Sequence, residues 1–400
     1  MIELIDDNLY FSFPKIKNTL HALAQKHLKK YLPRILEENQ QQGELGQKAT
    51  DPVDVEMLMH LKVSTVLRQI AGNATLNISF KRTLRIPDDG KTYPLPASLG
   101  EFPLRHIDDV AHNVPADWLR RGGVLMPMYQ AEALWLRFQS DYPFALKIGA
   151  GKINAVTGAT WANGLHHDPQ DFVSVPNQPW LDGFAVEKGV IRQFVAMGLG
   201  HGFTAEEQLS GKAEFGGIQL QVYPLKPEVF FKKSIQHKLP TRLEDIIERV
   251  TAPRQRGMVC CSCAPAVKES SMGLGAGGKM VQEIYADTNN PDDWATTVTS
   301  RCFVHLCNAL QWKAITGTNP PHEPISAKKY AMYGIPWFDH YRDDLKALDG
   351  ADALAGLKTV SQVMNQLGGD LADNAPVPIT APVVATTTTP RDQLVKEWSD

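Results

Sequence analysis

The chain has 400 residues, 43% hydrophobic and 21% charged, and 41 lysines and arginines against 44 aspartates and glutamates leave a formal charge of −3. That composition suits a globular chain with a sizeable core and excludes polyanion binding over the whole surface, so a nucleic-acid contact would need a local basic patch. No run reaches the roughly 18 apolar residues of a membrane-spanning helix, and the opening MIELIDDNLYFSF lacks the basic start of a secretory signal, so a soluble, cytoplasmic protein is expected.

Residues 1–74 read as a helical segment. Ile16, Leu20, Leu23, Ala24, Leu28, Tyr31, Leu32 and Ile35 recur at helical spacing, and residues 15–34 carry six basic side chains and no acid. Such a helix packs its apolar stripe on its own domain, or else offers a basic face to an acidic partner or a membrane surface. Packing is the expectation. A polar bridge, ENQQQGELGQKAT, separates it from a second helix that starts at Asp51-Pro52 and stops at Gly72.

From 75 to 369 the pattern predicts an α+β core, sheet-rich over 75–230 and helix-rich over 231–369. Leu76, Ile78 and Phe80 alternate, as do Phe144, Leu146 and Ile148, then Ile218, Leu220 and Val222, each set reading as a half-buried strand. Residues 184–187 and 190–197 read as a hairpin closed by Lys188-Gly189, with Glu187 opposite Val190 and Val186 opposite Ile191. A helix is expected over Met128–Phe138, and Thr204 with Glu207 forms a capping box for another. Later helices are expected at Leu239–Val250, across Phe303, Leu306, Leu310 and Ala314 up to Gly317, and at Ala353–Leu367. The Pro/Thr-rich tail, 370–400, reads as extended or disordered.

Three motifs carry potential chemistry. Gly273, Gly275, Gly278 and Lys279 match both a dinucleotide-binding fingerprint and a phosphate loop. Met280 replaces the hydroxyl residue that holds magnesium, and no apolar strand precedes the run, so a turn is the expectation. Cys260, Cys261, Cys263, Cys302 and Cys307 cluster, but their spacing suits buried reduced thiols better than a zinc site. The loop His166-His167-Asp168-Pro169-Gln170-Asp171 is the candidate catalytic site, with His166, His167 and Asp168 as candidate metal ligands. A third group, such as Glu187, Arg192 or Glu206, would have to complete it. Glu187 and Arg192 themselves read as an ion pair across the hairpin.

Longer strings carry a resemblance. RTLRIPDDGKTYPLPASLGEFPLRHIDD, RRGGVLMPMYQAEALWL, PQDFVSVPNQPWLDGF, EKGVIRQFVAMGLGHGFTAEEQLSG and GGKMVQEIYAD resemble a family of uncharacterised bacterial and fungal proteins over residues 80–350. The resemblance implies no activity, cofactor or site residue.

The combined expectation is an α+β fold, a mainly antiparallel core flanked by N- and C-terminal helices. Two functions fit it. One is a binding or assembly protein without catalysis; the alternative is a metal-dependent enzyme using the loop His166 to Asp171. Neither names a cofactor.

Overall fold

The computed structural model describes residues 1–44, 52–70, 74–242, 271–340, 342–379 and 381–386. Across them the fold is α+β, built on a mainly antiparallel sheet of 16 strands. Its central path runs Ile2–Ile5, Asn8–Ser12, Thr75–Thr83, Ala133–Gln139, Val190–Gly198, Met272–Val281, Ser300–Cys307, Ile218–Pro224 and Phe144–Ala150. Strands distant in sequence become neighbours in this way, so residue 147 lies beside 221, and 221 beside 301.

The strands are more buried than alternation implied. All seven residues of Phe144–Ala150 and all seven of Ile218–Pro224 are buried, polar ones included. Both faces of this part of the sheet are therefore covered. The basic helix, Pro14–Glu44, lays Ile16, Leu20 and Ala24 into the same core as Leu9, Phe11, Leu76 and Ile78. Further along, its Leu28 and Ile35 pack on Val55 and Met59 of helix Pro52–Ile70. The apolar stripe is used internally, as expected. Among the described residues no helix is long and apolar enough to cross a membrane.

Several local expectations hold. The hairpin pairs Glu187 with Val190, and Gly189 supplies the positive φ (+72°) that its two-residue loop needs. The 204–207 capping box is complete, the Thr204 hydroxyl accepting from the Glu207 N–H. Others are corrected. Residue 191 faces Ala185 rather than Val186, because the register shifts by a bulge between 185 and 187. Residues 2–12 form a hairpin ahead of the first helix, and that helix runs into the supposed polar bridge as far as Glu44. The segment 133–139 is a strand, not a helix: its run Ala-Leu-Trp-Leu is apolar because both faces are buried. Phe303 and Leu306 lie on strand Ser300–Cys307, and only then does a helix, Ala309–Thr316, start on its Asn308 cap and stop at Gly317. The helix expected at 353–367 is two, Asp352–Ala355 and Val360–Gln366. The tail is partly packed: Val377 is buried, and Val383–Thr386 pairs in parallel with Trp337–His340. Asp51, Gly72, most of 239–250 and the tail beyond 386 lie outside the described residues.

Candidate functional site

Strand Phe144–Ala150 places one lysine in the middle of an apolar run, FALKIGA. Lys147 has a side chain only 1% exposed, so its ammonium must find partners inside the protein. It donates to the carbonyls of Ala162 (2.8 Å) and Gly164 (2.7 Å) and lies 2.6 Å from Asp171 Oδ2. Three donors meet three acceptors, so no N–H is left for a ligand.

Asp171 ties the 166–171 loop to this strand. Its Oδ1 accepts the His166 backbone N–H (3.0 Å), its Oδ2 lies 2.8 Å from His166 Nδ1, and its own N–H donates to the His166 carbonyl (3.0 Å). Asn154 Nδ2 donates to the Asp171 carbonyl at 2.7 Å. With Nδ1 held by the carboxylate, Nε2 is the ring nitrogen left to accept a ligand's hydrogen bond or proton. The His166 side chain is 56% exposed, so that nitrogen is accessible.

Two cavities flank this loop and share the wall Thr157, Asp168 and Pro169. The smaller, about 290 Å³, is lined also by Asn154, Ala162, His166 and Asp171. The larger, about 640 Å³, takes in His167, Asp287, Asp349 and Asp352. Asp287 is tightly held, accepting from Ser174 Oγ and Trp294 Nε1, both at 2.8 Å. Asp168 is exposed between the two cavities.

The expected loop thus divides. His166 and Asp171 come together, whereas His167 turns its ring edge-on to Phe172 (5.0 Å between centroids). Glu187, Arg192 and Glu206 do not complete the site. Glu187 pairs with Lys279 at 2.5 Å and Arg192 with Asp88 at 3.2 Å, so the expected Glu187–Arg192 pair is absent. Glu206 is buried and accepts the Gly216 N–H (2.7 Å); burial pushes its carboxyl up against that stabilising hydrogen bond. The completing group is Lys147, which sequence reasoning missed. The signal was there: a single lysine inside a seven-residue apolar strand.

The remaining motifs resolve structurally. Gly273, Gly275 and Gly278 lie within strand Met272–Val281, paired with Val190–Gly198, rather than in a loop or at a helix start. A Cβ on Gly275 would sit 2.5 Å from the Phe203 carbonyl, so close backbone approach explains the glycine. Cys302 and Cys307 are buried free thiols on a strand; burial pushes Cys302 up to about 12 and Cys307 well above the ordinary range. Cys260, Cys261 and Cys263 lie outside the described residues. Among the described residues no group of three His, Cys, Asp or Glu side chains is placed to hold a metal ion.

Comparison with protein-family models, curated proteins and solved structures finds no match to this chain.

Proposed function

We propose that this is a binding protein for a small organic cation, an amine, seated against the His166–Asp171 loop. The observation that carries the reading is the charge of the walls. Around the shared wall the cavities present Asp168, Asp287, Asp349 and Asp352, and among the described residues their lining includes one lysine, Lys147, already neutralised by Asp171. An ammonium group there donates charge-assisted hydrogen bonds to the Asp168 carboxylate and an N–H to the lone pair of His166 Nε2. The rigid closure of the loop by Asp171 lowers the ordering cost of binding. An amine suits this wall better than a bare metal ion, because the carboxylates are dispersed along two cavities instead of converging on one point.

The test is calorimetric titration of the full chain with putrescine, spermidine and free lysine at low ionic strength. Binding of at least one is expected, weakened about tenfold by Asp168→Asn, in keeping with loss of one charge-assisted hydrogen bond. It should also weaken as salt rises. Heat with calcium or zinc but with none of the amines would overturn the reading in favour of a metal site. No heat with any of them would end it.

A further inference from the structure

A second, chemically opposite cluster covers the sheet where strands Phe144–Ala150, Ile218–Pro224 and Ser300–Cys307 run side by side. Lys147, Gln221 and Arg301 are direct cross-strand neighbours, so their side chains leave the same face of the sheet. Trp161 lies over this row. Its ring is so close to Gly149 that a Cβ there would sit 2.7 Å from it, and the charged groups of Lys147 and Arg301 each lie 5.4 Å from its centroid. Beside it, Phe215 has Lys152 Nζ at 4.1 Å and the Arg121 guanidinium at 4.3 Å. Lys152, Trp161 and Phe215 are half-buried and Arg301 is exposed, so the cluster reaches solvent. With Lys147 neutralised by Asp171 and Arg121 within 4.0 Å of Asp117, Lys152 and Arg301 are the cationic heads that this cluster offers to solvent, on a chain whose net charge is negative.

A separate observation lies just beneath. Gln221 is 5% exposed, and its Oε1 is buried without a hydrogen-bond partner among the described residues; the same is true of Trp161 Nε1. Both atoms are closed to solvent, so they are unmet polar groups under the cluster and not a docking edge; what a nucleobase would meet, and a simple anion would not use, is the aromatic face of Trp161.

We propose that this cation-and-aromatic patch binds a nucleotide unit, its phosphate against Arg301 and Lys152 and its base against Trp161. The unit comes either from a single strand or from a free nucleotide. This patch meets the requirement for local basic charge that the overall composition left open, and it is independent of the amine reading.

The experiment is fluorescence anisotropy of the full chain with a labelled oligouridylate of about twelve nucleotides at about 50 mM salt. Saturable binding is expected, weakening about tenfold or more by about 200 mM salt. The double variant Lys152→Glu/Arg301→Glu, checked for an unchanged melting temperature, should lose about tenfold or more in affinity, whereas Asp168→Asn should lose none. Should the double variant melt lower, Lys152→Gln alone, at a half-exposed site, replaces it and must still weaken binding. Competition by UMP at concentrations comparable to the oligomer's assigns a free nucleotide; competition only by unlabelled strands assigns single-stranded nucleic acid. No binding at the lower salt, or binding that the charge variants leave unchanged, overturns the proposal.

Discussion

Lys147 Nζ and Asp171 Oδ2 lie 2.6 Å apart with side chains 1% and 9% exposed, a buried ion pair between the middle of a strand and the end of a loop. Removing one member strands the other's charge. Lys147→Met is expected to destabilise the protein by about 3 kcal/mol or more, and Lys147→Met with Asp171→Asn by clearly less. Chemical denaturation of the two variants measures the difference; equal losses would mean the pair is not coupled.

His166 contrasts with its partner. Its ring is mostly solvated and Asp171 keeps Lys147 when it is removed, so His166→Ala should cost about 1 kcal/mol or less. Any loss of amine binding by this variant then reports on the site and not on the fold. A large drop in stability would show that the imidazole holds the loop in place.

Gly275→Ala separates a strand glycine from a phosphate-loop glycine. The added methyl would lie 2.5 Å from the Phe203 carbonyl and 2.7 Å from Val360 Cγ1, so a loss of about 2 kcal/mol is expected. Thermal melts with and without ATP are the measurement. A variant as stable as the parent that lost a nucleotide-induced shift would restore the loop reading.

How legible this was depended on side-chain size and on burial. The 184–197 hairpin announced itself because two short runs rich in apolar residues flank the two-residue turn Lys188-Gly189. The strand Met272–Val281 did not, because four glycines in ten residues leave no alternation to see. Ala133–Gln139 failed for the opposite reason, a continuous apolar run that fits either a buried helix or a buried strand. At the site, spacing alone brought His166 and Asp171 within reach of each other. Lys147 is 24 residues before Asp171 and on another element, so only the fold joins them.

Cys302 and Cys307 are expected to resist alkylation in the folded protein. Burial raises both thiols far above neutral pH, leaving almost no thiolate. Peptide mapping after brief iodoacetamide treatment should find these two unmodified in native protein and modified after denaturation. Native labelling of either would contradict their burial.

The last prediction follows from His305, whose ring stacks between Trp118 (4.8 Å) and Phe303 (4.6 Å). Its Nε2 lies 3.0 Å from the Gly122 carbonyl and so donates, which makes the neutral ring the natural form. Burial drives its pKa down to about 4, against the donation to Gly122. A histidine depressed on folding binds fewer protons in the native state than in the unfolded one between these two pKa values. Its contribution is therefore intact above about pH 6.5 and is lost as pH falls toward 4. Linkage over that depression gives a loss of about 2 kcal/mol between pH 7 and pH 5. Glu132 and Glu206, raised by burial above the ordinary carboxylate range, act with the opposite sign, and because parent and variant both carry them the comparison cancels them. Denaturation of the parent and of His305→Gln at pH 7, 6 and 5 is the measurement. The parent should lose stability across the series by about 2 kcal/mol more than the variant. Parallel slopes would mean that His305 takes up its proton equally in the folded and the unfolded chain, and that its burial between Trp118 and Phe303 does not hold the ring neutral.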